Sequence, residues 1–373
     1  MQCKRCGNED PRYFYWHPLG LYCRKCITFK DDQVENWKIS AKDVDEYTLG
    51  YQLSDKQKEI AYKCAREILD HDVLLKCVCG AGKTEMVLDT IACQLAKKKV
   101  IGFAIPRCEV VKELSLRLKS IFKKAKVVAV YGGHSDCLKG DIVVCTTHQL
   151  YRYDKIFNVL ILDEPDAYPF NNNDLLWSFA ERACLGHFIF LSATPNERIM
   201  KRNNLCIFRL DQRPHGKPLP VPKIRYGTFV KLVINFYFWW QKRKNKPVML
   251  FLPTILLANN LYCFLHLFIN CALLTSKTKD KDQVLQAFKQ GSFNLLLCTT
   301  IMERGVTIPG VDVCVLCAEH NVFDVASLIQ IAGRVGRKKE YPSGSVLFMC
   351  RRKSLPVLQA IDLIKESNAL SFM

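Results

Sequence analysis

Residues 77–84 read CVCGAGKT, the spacing of a phosphate-binding loop, with Cys77 where Gly or Ala usually stands. Gly80 and Gly82 let backbone N–H groups curl around phosphate oxygens, with Ala81 between them in the same cradle. Lys83 can reach β- and γ-phosphates, Thr84 can hold a magnesium ion, and Glu85 follows directly. A second run, LILDEPD at 160–166, ends an apolar stretch on Asp163, placed to bind the same ion, and Glu164, placed as the base for an attacking water. At the N-terminus, Cys3-x-x-Cys6 and Cys23-x-x-Cys26 lie 16 residues apart and suit a structural zinc ion held by four thiolates. A redox pair or a chance of cysteine-rich composition would not account for two matched pairs.

Two more runs extend this chemistry. LSATP occupies 191–195, and QIAGRVGR spans 330–337, with Gln330 at its head and Arg334 and Arg337 three residues apart. An arginine reaching an ATP site from a second domain stabilises charge on the transferring phosphate. The cysteine-rich segment also interleaves Lys4, Arg5, Arg12, Arg24 and Lys25 with Tyr13, Phe14, Tyr15, Trp16 and Tyr22. Such a mixture suits a single nucleic-acid strand, through phosphate contacts and base stacking; the aromatics could equally pack beside the zinc.

These residues need elements to hold them. DVLLKCV reads as a strand ahead of the loop and TEMVLDTIACQLAKK as the helix after it. VIGFAIP, KVVAV, DIVVCTT, VLILDE and HFIFLSAT follow as strands, with helical segments such as EVVKELSLRLKSIF between some of them. The alternation predicts an α/β fold with parallel sheets. DQRPHGKPLPVPK at 211–223, with four prolines and a glycine, reads as a linker. The alternation then resumes with VMLFLPT, CALLTS, NLLLCTT, VDVCVLC and SVLFMC, closing on the helix LPVLQAIDLIKESNAL. The expected organisation is a four-cysteine zinc module (1–30), an acidic connector (31–56) and two α/β domains (57–212 and 213–373).

Composition narrows the partners. The 373 residues are 49% hydrophobic and 24% charged, enough to bury sizeable cores and too much for a disordered chain. A formal net charge of +18 points to a polyanion, either nucleic acid or an anionic membrane surface. MQCKRCGNED has no apolar leader, so the expectation is a cytoplasmic protein whose 19 cysteines are largely reduced. Residues 248–276 carry no charge, but Pro253, Asn259, Asn260, His266 and Asn270 interrupt them; strand, helix and strand fit better than a membrane span.

The ordered set of motifs across roughly residues 50–350 resembles superfamily 2 helicases and translocases. The resemblance implies two RecA-like domains, ATP in the cleft between them and nucleic acid across both. It implies that Gln57 in LSDKQKE reads adenine and that Gly305 in TTIMERGVTIP lies near the γ-phosphate. By the same resemblance, Arg107 in PRCEVVKEL and Thr146, Thr147 and His148 in TTHQL grip the phosphodiester backbone from the first domain. Thr275 and Ser276 in LLTS, with Thr299 and Thr300, do so from the second. FLPT at 251–254 is a further second-domain motif.

A narrower resemblance joins the N-terminal zinc module, DEPDAYPF, the RPHGKPLPVP linker and SLIQIAGRVGR. It is to the ComFA family of late-competence DNA translocases of Gram-positive bacteria, from which this sequence departs at Cys77 and Pro165. That likeness implies ATP, Mg²⁺ and Zn²⁺ as cofactors and single-stranded DNA as the track. It also implies ComFC and DprA as partners, and a place in the cytoplasm or against the inner face of the membrane. Nine Lys/Arg and no acid between Arg213 and Lys246, with FYFWW at 236–240, are either a phosphate-tracking surface or a solvated helix with a buried aromatic face. Two rivals stand beside this reading. A replication-restart helicase like PriA carries its zinc site among the helicase motifs, whereas here it is N-terminal. A non-enzymatic adaptor with a vestigial ATP fold would have no need of Lys83, Asp163, Glu164 and Arg337.

Overall fold

The computed structural model describes residues 1–3, 5–18, 20–29, 34, 37, 39, 47, 49, 51–300 and 308–371. Gly305 and most of the connector lie outside them. The chain divides into two compact units, one of Met1–Cys77 with Gly82–Leu210, the other of Val78–Ala81 with Asp211–Met373. Each is built around a wholly parallel sheet of RecA type.

The first unit opens on a small antiparallel hairpin, β1 (Phe14–His17) and β2 (Gly20–Cys23). Its main sheet comprises β3 (Asp72–Cys77), β4 (Ile101–Ile105), β5 (Val127–Val130), β6 (Ile142–Thr146), β7 (Phe157–Asp163), β8 (Cys184–Ser192) and β9 (Leu205–Leu210). The spatial order is β5-β6-β4-β7-β8-β3-β9. β4 and β6 are buried along their whole length, as expected of strands covered by helices on both faces. β9 is only half-buried, and its mixed sequence LCIFRL gives little warning of a strand; as a sheet edge it needs apolar residues on fewer sides.

The second unit contains β10 (Lys223–Tyr226), β11 (Val248–Phe251), β12 (Cys271–Leu274), β13 (Leu295–Cys298), β14 (Asp312–Leu316) and β15 (Val346–Cys350), ordered β10-β15-β14-β11-β13-β12. The uncharged segment 248–276 is strand β11, the helix Ile255–Leu265 and strand β12. No helix among the described residues is long and apolar enough to cross a membrane. The helix Phe229–Gln241 buries Leu232 and Phe236, while Trp239 and Trp240 pack partly against the core. Arg243, inside the basic run, lies 4.2 Å over Trp239 and 3.0 Å from the Asp312 carboxylate, so it serves the fold.

Candidate nucleotide and nucleic-acid site

All strands of the first sheet run the same way, so their C-terminal ends share one edge. There, β7, β8 and β3 are neighbours, and they end on Asp163, Ser192 and Cys77. The phosphate-binding loop leaves β3, DEPD leaves β7 and SAT leaves β8, so three runs distant in sequence meet side by side. Asp163 pairs with Leu191, and Lys76 with Ser192, across these ladders. A parallel α/β sheet commonly binds ligands beyond the carboxyl ends of its strands.

Gly82 caps the short helix Lys83–Met86 at φ +80°, a left-handed backbone that glycine adopts without strain. A Cβ there would stand 2.6 Å from the Gln57 side-chain amide nitrogen, so Gln57 lies directly against the loop. Gln57 is buried, and a capping box fixes it at the start of the helix Asp55–Glu67: its Oε1 accepts from the Ser54 N–H at 2.9 Å. Lys83, Thr84, Glu85, Asp163 and Glu164 are each half-buried. Glu85 accepts from the Tyr51 hydroxyl at 2.7 Å and from Arg117 at 2.6 Å. Burial pushes the Glu85 carboxyl up, but the Arg117 charge and these hydrogen bonds outweigh it and hold it below the usual range.

Glu164 has φ +52°, an uncommon backbone for a residue with a side chain, and its N–H donates to the Leu191 carbonyl at 2.8 Å. Asp166 is a member of the site that the sequence reading did not single out. Its two carboxylate oxygens accept from Ser192 at 2.5 Å and Thr194 at 2.9 Å, and Ser192 Oγ accepts from the Thr194 N–H at 3.0 Å. The carboxylate therefore ties DEPD to SAT. Its place as the last residue of DEPD was the available signal.

In the second unit, Gln330 lies on the helix Val325–Ala332, and Arg334 and Arg337 follow in the turn behind it. Gln330 and Arg334 are buried and Arg337 is half-buried. Arg213, which the sequence places in a linker, is only 2% exposed. It donates to the carbonyls of Gly333, Val335 and Gly336, each at 2.7 Å, and to that of Cys79, in the same unit, at 3.0 Å. His215 approaches the Gly336 carbonyl at 2.8 Å. Burial, then the nearby Arg337 charge, draws the Arg213 pKa down to about 10. A cation so desolvated, held by carbonyls with no carboxylate partner among the described residues, is costly to the fold.

The residues expected to grip a strand also sit at strand ends. β6 ends on Thr146 and Arg107 follows β4, its neighbour in the sheet. Thr146 and Thr147 are buried, Arg107 is half-buried and His148 is exposed. In the second unit Leu274 pairs with Cys298, which brings Thr275 and Thr299 to adjacent ladder ends. Both are buried, whereas Ser276 is exposed and Thr300 half-buried.

The four N-terminal sulfurs converge within 4.8 Å of one another. Cys3 and Cys26 lie 3.7 Å apart, Cys6 and Cys23 3.8 Å. Sulfurs about 2.3 Å from a tetrahedral zinc are separated by about 3.8 Å, so the donor set fits that ion.

Comparison with known proteins agrees with this geometry. Residues 58–202 match the DEAD/DEAH box helicase family and residues 228–339 the helicase conserved C-terminal domain. The chain is 35% identical to competence protein ComFA of Bacillus subtilis (strain 168), over 99% of this chain and 86% of the relative. It is 32% identical to competence protein ComFA of Streptococcus pneumoniae, over 98% and 90% respectively. Among solved structures, S. cerevisiae Dbp5 bound to RNA and ADP BeF3 superposes with a TM-score of 0.64 at 15% identity, over 84% of this chain and 91% of that one. At that identity the likeness is one of fold.

Proposed function

This chain belongs to the ComFA family of DEAD/DEAH box helicases, and on that premise we propose that it is an ATP-driven motor on single-stranded DNA that draws transforming DNA inward during competence. The observation that carries the motor chemistry is the meeting of the Lys83 loop, Asp163, Glu164 and Ser192 at one edge of one sheet. The loop amides of Gly80, Ala81 and Gly82 cradle the triphosphate, and Lys83 neutralises its β/γ end. Thr84 and Asp163 offer the hard oxygen donors that magnesium takes. When bound, that ion spreads the charge developing between the β- and γ-phosphates. Glu164 orients and deprotonates the attacking water. Gln330, Arg334 and Arg337 contribute from the second unit, where the two arginines offset charge on the transferring phosphoryl group. Gln57 reads the adenine.

Arg107 with Thr146–His148, and Thr275 and Ser276 with Thr299 and Thr300, form two backbone grips whose relative movement advances the strand. Such grips contact phosphates and sugars, so they tolerate any base sequence. Cys3, Cys6, Cys23 and Cys26 hold a structural zinc, which folds a module too small to have a core of its own. ComFC and DprA are the protein partners this reading implies, and co-purification tests them.

The deciding experiment is ATP hydrolysis by purified protein alone, with single-stranded DNA, with duplex DNA and with RNA. Stimulation by single-stranded DNA that is lost in Lys83→Ala supports the motor. Stimulation by RNA alone assigns a different track, and absence of turnover in every mixture favours an adaptor.

A further inference from the structure

The zinc module carries more exposed aromatic surface than its own packing uses. In the β1–β2 hairpin Phe14 pairs with Cys23, and Phe14 packs against the buried cluster containing Cys6, Cys23 and Cys26. One ladder step on, Tyr15 pairs with Tyr22, with ring centroids 5.4 Å apart, and His17 lies 6.3 Å from Tyr22. By strand alternation Tyr15, His17 and Tyr22 share one face of the hairpin. Tyr15 is 45% exposed, Tyr13 41% and Trp16, on the other face, 73%. Two cations sit among these rings. The Arg24 guanidinium lies 4.6 Å from the Tyr15 centroid, and the Lys25 ammonium 5.8 Å from that of Tyr13. Residues 11–30 contain no acid.

The module is also seated beside one of the backbone grips. Phe29, two residues past the last zinc-site cysteine's neighbour Ile27, packs 5.0 Å from Tyr151 and 5.0 Å from Phe179, centroid to centroid. Arg5 donates to the Phe29 carbonyl and fixes that contact from within the module. Tyr151 belongs to the 3₁₀ helix Thr147–Arg152, which also carries Thr147 and His148.

We propose that the hairpin of the zinc module stacks bases of single-stranded nucleic acid, with Tyr15 and Tyr22 offering rings on one face and Trp16 on the other while Arg24 and Lys25 meet the phosphates. The inference rests on the reading of the chain as a single-strand motor and assigns part of its track to the module. A single strand fits because it alone presents unstacked π-faces along a polyanion. A zinc held by Cys3, Cys6, Cys23 and Cys26 would fix the hairpin, so little ordering would be lost when a strand docks.

The test is fluorescence anisotropy of a labelled oligo(dT) titrated with full-length protein at several salt concentrations, with zinc content measured in parallel. Tyr15→Ala and Trp16→Ala should each weaken binding about tenfold and leave the salt slope unchanged. Arg24→Ala with Lys25→Ala should lower that slope by about 1 to 2 units. Trp16→Leu keeps apolar bulk without the π-face, so it should bind weakly while retaining zinc, and Trp16→Phe should bind as wild type does. Wild-type affinity in Trp16→Leu and in zinc-loaded Tyr15→Ala overturns the platform. No binding of oligo(dT) by the wild type overturns the motor reading itself, a distinct result. A Trp16→Leu protein that loses affinity for vesicles of anionic phospholipid but not for oligo(dT) assigns the surface to a membrane and overturns the platform.

Discussion

Arg213 and Arg337 donate to the same acceptor, the Gly333 carbonyl oxygen, at 2.7 and 3.0 Å. One side chain comes from the connection between the sheets and the other from the run GRVGR that carries Arg334 and Arg337. Arg213 thereby holds the turn in which Arg334 and Arg337 sit. Arg213→Ala would take the Arg213 donor from the Cys79 and Val335 carbonyls, at about 1–3 kcal/mol each before relaxation, while Gly333 keeps Arg337 and Gly336 keeps His215. We expect a lower urea midpoint and an ATP turnover reduced about 100-fold through mispositioned arginines. Arg213→Lys supplies a charge without the planar fork and should recover only part of the activity. Wild-type turnover in Arg213→Ala would separate this clamp from catalysis.

Glu164→Gln removes the proposed base without removing bulk. Turnover should fall by about 10²- to 10⁴-fold while binding of a fluorescent ATP analogue stays within about threefold. Lys83→Ala should lose both if, as proposed, Lys83 holds the bound phosphates as well as acting in the reaction. Chelation of magnesium should abolish turnover of the wild type.

Asp166 is buried and meets two hydroxyls. Asp166→Ala should destabilise the first unit by about 1–3 kcal/mol, the usual cost of orphaning buried polar groups. Asp166→Asn keeps one acceptor and should lose less. Chemical denaturation followed by circular dichroism gives both values.

Zinc content should be about one ion per chain, and near zero in Cys23→Ser. If the proposed zinc supplies the module's folding energy, release of the ion by a thiol-modifying reagent should unfold it. Metal analysis and limited proteolysis around residues 1–30 read the two effects.

The carboxyl of Glu85 lies below its unfolded value in pKa. The unfolded chain therefore binds more protons over the intervening pH window, and stability rises with pH there. The contribution is present above the unfolded pKa and disappears as pH falls through the folded one. Arg117→Met should thus be less stable than wild type at neutral pH, with the gap narrowing as pH falls through the folded-state pKa of Glu85. A gap independent of pH would show that Arg117 acts through packing alone.

The motifs were legible in the sequence because phosphate chemistry demands particular atoms at particular spacings. GAGKT, LILDEPD, two Cys-x-x-Cys pairs and GRVGR each concentrate their meaning within about eight residues. The parallel α/β architecture was legible for a related reason: strands buried on both faces must be apolar throughout, as IGFAI and IVVCT are. β9 and β10 escaped notice because edge strands tolerate polar residues, and KIRY is largely exposed.

The sequence by itself determined which atoms are available. Only the tertiary structure decided which of them meet. Along the chain the strand ends run Cys77, Ile105, Thr146, Asp163, Ser192; across the sheet they run Thr146, Ile105, Asp163, Ser192, Cys77. That permutation separates the strand ends proposed to grip nucleic acid, Thr146 and Ile105, from those proposed to bind phosphate, Asp163, Ser192 and Cys77. It is set by which strands pair, a choice made through long-range packing that no local spacing records. Arg213 carries the same lesson. In sequence it is one basic residue in a proline-rich linker, and its burial beneath the turn of Arg334 and Arg337 exists only because the fold brings residues more than 100 positions apart into contact.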